Sequence, residues 1–265
     1  MKVFEIVSYL QSIAPESFQE SYDNAGLIVG NLQTEVTKVL VSLDTTEKVV
    51  EDAIEKGCNV IISHHPIIFK GIKKFDAQYY VDKAIIKAIK NDIAIYAIHT
   101  NLDNVYTHGV STALAEILQL KDIEILSPHE STIFEQKPVG AGAIGYLAEP
   151  TDSLVFLKEL KSIFQLQCIK HTPIIKSRIG KVAVCGGSGS FLISDAIAAG
   201  ADILITADIK YHEFFDANGQ IILADIGHYE SEKHVIQLIK NILSNHFQDL
   251  HILSTEVITN PVSYF

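Results

Sequence analysis

The chain has 265 residues, 48% of them hydrophobic, and a formal net charge of -11 at pH 7; this is enough apolar material for one or two buried cores with no staple. So acidic a balance excludes a protein that grips duplex DNA or RNA by neutralising phosphates, which needs a basic face. Cys58, Cys168 and Cys185 are scattered with no C-x-x-C pair, so they fit a reducing compartment; with no signal-like start and no apolar run of membrane length, the expected location is cytoplasmic, away from membranes.

Phe4 to Ile13 reads as an amphipathic helix on the spacing of Phe4, Val7, Leu10 and Ile13. Lys38-Val39-Leu40-Val41 reads as a strand and Asp52 to Gly57 as the end of a helix. The apolar run Asn59-Val60-Ile61-Ile62-Ser63 reads as a buried parallel strand closed by His64-His65-Pro66. In open α/β sheets ligands bind beyond the carboxyl ends of the strands, and imidazole is the commonest metal-ligating side chain. Adjacent strand residues point to opposite faces, so both imidazoles reach one cluster only if the chain turns at Pro66 or if two metals are bound. A later strand, Ile93 to Ile98, runs into His99-Thr100-Asn101-Leu102-Asp103.

Ser127 to Gly145 holds Pro128, Pro138 and three glycines and is the expected boundary, giving halves 1–127 and 128–265. Its Gly140-Ala141-Gly142-Ala143-Ile144-Gly145 end reads as the first strand of the second half. The halves repeat each other. At an unbroken offset of 143 residues, Lys38–Val41 lies over Lys181–Val184, Asp52–Gly57 over Asp195–Gly200, and Asn59–Ser63 over Asp202–Thr206. Each unit reads strand, helix, glycine stop, strand, the grammar of a right-handed parallel crossover. The expected fold is therefore α/β, two related halves with a metal site at the strand carboxyl ends in the cleft between them. His64 and His65 correspond to Ala207 and Asp208, so the halves diverge at their strand tips.

Ile221 to Ala224 is the matching later strand of the second half and leads to His228 and Glu232. These lie four apart and head a helical stripe that continues as Val235, Ile239 and Ile242. An imidazole and a carboxylate on a core-facing stripe must be paired, and a metal satisfies both in their deprotonated forms. With His64, His65 and Asp103 they make five nitrogen and oxygen donors. One catalytic ion usually takes about three protein ligands, so five, with two carboxylates able to bridge, suit two divalent transition-metal ions. With no thiolate among the donors, zinc, iron and manganese all remain open.

Six ordered motifs, Ser21-Tyr22-Asp23-Asn24-Ala25-Gly26-Leu27, Ile62 to Phe69, His99 to Asp103, Val182 to Gly189, Asp208-Ile209-Lys210-Tyr211-His212 and Gly227 to Glu232, resemble those of the Nif-three-like dinuclear-metal family, labelled GTP cyclohydrolase I type-two homologues. The resemblance spans nearly the whole chain and matches the short form, without an inserted domain. It implies two similar α/β domains, the ligand set His64, His65, Asp103, His228 and Glu232, and a toroidal homohexamer, a trimer of dimers, with metal sites facing the interior. The chain departs from the family pattern at Ala207, where a glycine is common, and at Ala143, where an arginine is common.

Around this set, Asp44, His99, Asp208 and His212 are expected to orient ligands or substrate, because a ligating histidine needs an acceptor for its other ring nitrogen. Cys185 to Ser190, with Gly187, Ser188 and Gly189, reads as a loop before a helix whose amides can cradle an anion. The leading functional reading is a metal-dependent hydrolase acting on a small anionic or nucleotide-like substrate, GTP cyclohydrolase-like by resemblance, with Glu232 as a candidate catalytic residue. The competing one is a metal-binding scaffold or metallochaperone that forms a ring without turnover.

Overall fold

The computed structural model describes residues Met1–Phe265. In chain order the elements are α1 (Val3–Ile13), β1 (Gly26–Val29), β2 (Val39–Ser42), α2 (Glu47–Lys56), β3 (Val60–Ser63), α3 (Tyr80–Lys90), β4 (Ala94–Ala97), α4 (Thr100–Asp103) and α5 (Val110–Ile117). Next come β5 (Lys121–Phe134), β6 (Lys137–Asp152), α6 (Ser153–Ile163), β7 (Lys170–His171), β8 (Arg178–Ser188), α7 (Ile193–Ala198) and β9 (Ile203–Ala207). The chain closes with β10 (Ile222–Asp225), α8 (His228–Glu232), α9 (Val235–His246) and β11 (Ile252–Ser254).

Two compact units emerge, Met1–Leu102 with Val235–Pro261, and Asp103–His234 with Val262–Phe265. The division falls elsewhere than the expected 127/128, for a local reason. Ser127 and Pro128 lie inside β5, which pairs with β6 in a long antiparallel hairpin. Its two-residue turn, Glu135-Gln136, has both residues at positive φ (51° and 63°), the backbone that matches the twist of paired strands. Gly140 to Gly145 lies within β6, as the strand-like reading has it.

In the first unit the sheet order is β1-β4-β3-β2-β11. The strands β2, β3, β4 and β11 run parallel, and β1 is antiparallel at one edge. Every residue of β2, β3 and β4 is buried, which is why these strands are near-continuous apolar runs, broken only by the terminal Ser42 and Ser63, and not alternations. Leu40, Ile61 and Ile95 pack with Val49 and Ala53 of α2 and Ile85 of α3. Helix α1 forms as its spacing predicts but buries Val3, Ile6, Val7 and Leu10, while Phe4 is 52% exposed. Val7 and Leu10 belong to both possible stripes, and the additional apolar pair Val3 and Ile6 decides which one faces inward.

The second unit has the sheet order β5-β6-β8-β9-β10-β7. Its parallel core, β8, β9 and β10, repeats the pairing of the first unit as far as Val184, after which the β8–β9 register shifts. Val39 pairs with Val60 and Val182 with Ile203; Val60 then pairs with Ala94 and Ile203 with Ile222. The Lys38 Nζ donates to the Lys56 carbonyl at the end of α2, and the Lys181 Nζ to the Ala199 carbonyl after α7, each placing a cation at a helix carboxyl end. Gly57 and Gly200, at φ 69° and 72°, supply the left-handed stop. Asn59 accepts the Thr37 N–H and Asp202 the Gly180 N–H. The internal repeat is thus a repeat of hydrogen bonds as well as of letters.

Candidate metal centre

Both imidazoles of the first unit sit just beyond β3. The His64 N–H donates to the Ser42 carbonyl at 3.2 Å and the His65 N–H to that of Leu43 at 2.9 Å, so pairing with the β2 side continues past the strand. The Ser63 hydroxyl donates to the His65 carbonyl at 2.9 Å and bends the backbone. The two rings, which an extended strand would send to opposite faces, therefore come to 5.0 Å between centroids.

Each ring is held at Nδ1. His64 is fully buried and its Nδ1 donates to the Ile98 carbonyl at 2.8 Å; a carbonyl only accepts, so this proton is fixed and Nε2 carries the lone pair. His65 Nδ1 meets Asp44 Oδ1 at 2.7 Å, and Asp44 also accepts from the Thr259 hydroxyl. His99 Nδ1 meets Asp23 Oδ1 at 2.8 Å. Asp23 also takes the Thr100 N–H and hydroxyl. Burial would raise the Asp23 carboxyl, but the hydrogen bonds and charge of His99 and the Thr100 hydroxyl outweigh it and bring it down to about 2. Ligand nitrogens of His64, His65 and His99 lie within 4.8 Å of one another.

In the second unit Asp208 follows β9 at φ 55°. It meets His228 Nδ1 at 2.7 Å, and His228 Nε2 meets Glu232 Oε2 at 3.0 Å. Burial alone would lower the His228 imidazole, but the hydrogen bonds to Asp208 and Glu232 dominate and push it up to about 10. Asp208 is correspondingly lowered, first by its bond to His228. A cation at Nε2 would take the place of that proton. Asp103 ends α4, and its charge and that of Glu232 both act on Cys185, whose thiol is raised first by burial and then by these two carboxylates. Asp225, buried, accepts from Ile209 and Gly227 N–H and pairs with Lys170, tying down the two loops that carry Asp208 and His228.

Several expected features are placed differently. His228 and Glu232 do not head one long helix: α8 stops at Glu232 and α9 starts at Val235. Lys233 Nζ donates to the Phe164 carbonyl and His234 Nε2 bonds to that of Val110, so the turn is anchored in the second unit while α9 belongs to the first. Residues 185 to 189 are not an open loop, because β8 runs to Ser188. The Gly187 N–H donates to the Ser231 hydroxyl and its carbonyl accepts from Thr206. Gly189 is tight for a related reason, since a Cβ there would lie 2.5 Å from the Thr206 hydroxyl. Ser188 is exposed. His212 is exposed and packs with Tyr211 and Phe215. Asp23, Ser231 and Asp225 are absent from the expected site set; for Asp23 the signal was its place in the Ser21 to Leu27 motif.

The sequence profile of the Duf34/NIF3 (NGG1p interacting factor 3) family matches residues 1–261. A GTP cyclohydrolase 1 type 2 homolog of Clostridium acetobutylicum is 34% identical over 233 residues, covering 88% of this chain and 85% of that one. The homolog of Campylobacter jejuni is 32% identical over 268 residues and covers 100% of both chains. Among solved structures, a hypothetical protein of Staphylococcus aureus superposes with a TM-score of 0.92 at 32% identity, over 100% of this chain and 99% of that one. A Bacillus cereus protein related to NIF3 gives 0.90 at 26% identity, over 100% and 99%.

Proposed function

The chain belongs to the Duf34/NIF3 family, and on that premise we propose that it binds two divalent transition-metal ions, zinc, iron or manganese, through His64, His65, Asp103, His228 and Glu232. We assign it hydrolysis of a small anionic or nucleotide-like substrate in the cytoplasm. The names of its relatives, GTP cyclohydrolase 1 type 2 homologs, support a hydrolytic opening of a purine-like ring as the first chemistry to test. Assembly into a closed ring of six is part of the same proposal, since closed point-group symmetry is the usual outcome for soluble homo-oligomers.

The observation that carries the metal reading is the orientation of the imidazoles. His64, His65 and His228 each engage a carbonyl or carboxylate through Nδ1 at 2.7 to 2.8 Å, the arrangement that fixes ligating histidines and presents Nε2. When bound, the ions supply Lewis acidity and lower the pKa of water toward neutrality. Asp44 and Asp208 hold the Nδ1 protons of His65 and His228. Cys185, raised by burial and by carboxylate charge, stays a thiol and is no competing nucleophile.

Elemental analysis of the purified protein, joined to a hydrolysis screen over nucleotides and phosphoesters with and without added metal, tests the proposal. Near two ions per chain, with turnover lost in Glu232→Ala, supports it. Full metal loading with no turnover on any substrate favours the scaffold reading.

A further inference from the structure

We propose that the crossover from β3 to α3, through Phe69, Lys70, Lys73 and Lys74, binds the aromatic ring and the phosphates of the substrate, which makes that substrate a phosphorylated nucleoside. This rests on the nucleotide-like reading above and gives recognition to residues outside the ligand set.

Residues 64–79 join the two elements without helix or strand, a length at which an irregular connection in a compact fold usually carries function. The connection is pegged down. Ile67 is buried in the core of the first unit, Ile68 and Ile72 pack against it, and Asn24 Nδ2 donates to the Ile68 carbonyl at 2.8 Å. Between and beyond these pegs, Phe69, Lys70 and every residue from Lys73 to Tyr80 are exposed, Phe69 at 51% and Phe75 at 53%. The Phe69 ring meets that of His99 at 80°, with centroids 5.8 Å apart. A half-open aromatic ring thus stands beside the imidazoles at the strand tips.

Charge sets the partner. The chain holds 21 lysines and arginines against 32 acids, yet between residues 64 and 80 three lysines face the single acid Asp76. No ion pair engages Lys70, Lys73 or Lys74, whereas Lys56, Lys87, Lys170 and Lys176 each hold a carboxylate. The equivalent crossover of the second unit, residues 208–221 after β9, has only Lys210, which Glu213 binds. Uncompensated ammonium groups beside an open ring match an anion that carries a π-face of its own: phosphate oxygens accept from the lysines, and a base stacks on the phenylalanine. An inorganic anion leaves the ring unused, and a bare base leaves the lysines unused.

The test titrates metal-free, full-length protein by calorimetry with GTP, guanosine and tripolyphosphate, so that the ions play no part in binding. Wild type is expected to bind GTP more tightly than either fragment. The triple variant Lys70→Gln/Lys73→Gln/Lys74→Gln should weaken GTP and tripolyphosphate by at least ~10-fold and leave guanosine unchanged. Phe69→Ala should weaken GTP and guanosine by roughly 5–100-fold and leave tripolyphosphate unchanged, while Phe69→Tyr, which keeps a stacking face, retains wild-type affinity. Circular dichroism and metal loading are expected to match wild type throughout. A wild type that binds no GTP, or variants that bind all three probes as wild type does, overturns the proposal. So do variants that change the particle mass in light scattering and leave nucleotide affinity intact, which would make the segment an interface between copies. Metal-loaded wild type that binds GTP through these residues but hydrolyses nothing overturns the hydrolase reading and leaves this one standing.

Discussion

Gly187 lies against Glu232 so closely that a β-carbon on the glycine would sit 2.3 Å from Glu232 Oε1, and the Gly187 backbone is at φ 60°. The carboxylate is positioned by a missing side chain. Gly187→Ala must displace Glu232 and adopt a left-handed backbone that costs ~1–2 kcal/mol for a residue with a β-carbon. Metal affinity is expected to fall by roughly 10–100-fold, with a lower melting temperature; competitive titration with a chromophoric chelator measures the first and calorimetry the second. Unchanged affinity would show that Glu232 is not held by this contact.

Glu232→Ala and Asp44→Ala should differ in kind. The first removes a proposed ligand, and the second removes the acceptor of His65 Nδ1. Asp44→Ala is expected to weaken metal by roughly 10–100-fold and Glu232→Ala by more. Equal metal retention in both, by elemental analysis after dialysis, would remove the ranking.

Acid should expose Asp23. Its carboxyl is lowered from 3.8 to about 2 in the folded chain, so the folded state binds this proton less readily than the unfolded one. The resulting stabilisation, roughly 2 kcal/mol, is present above the unfolded value and is lost as pH falls from about 4 through about 2. Asp23→Asn should therefore be less stable than wild type at pH 6, with the gap closing toward pH 2. Urea unfolding across that range measures it, and a gap independent of pH would mean that Asp23 carries no such linkage.

Light scattering tests assembly. A particle of six chains of 29.2 kDa is expected at micromolar concentration, and a stable monomer would remove the ring from the proposal.

The parts of the fold visible in the sequence are those where burial dictates composition. Val60 to Ile62 is inside on both faces and is written in apolar letters, and Gly57 and Gly200 mark their helix stops because little else tolerates that backbone. The turn at Glu135-Gln136 carries neither glycine nor asparagine, so the hairpin that occupies the expected boundary left no turn signal. The break between α8 and α9 is likewise silent, because it is made by Lys233 and His234 reaching backbone carbonyls far away in sequence. At the site, residue types named His64, His65, His228 and Glu232. The pairing of His99 with Asp23 spans 76 positions and has no local periodicity to betray it.

The last strand has a bearing on how the chain comes off the ribosome. The second sheet is complete once β10 is made, and α8 follows within a few residues. The first sheet began earlier but ends with β11, Ile252–Ser254, laid parallel on β2, and its unit also waits for α9. The sheet that starts first is therefore the one finished last. Until those late residues emerge, the outer edge of β2 presents unpaired amides and carbonyls, which makes the nascent first unit the part of the chain that most needs protection from wrong partners.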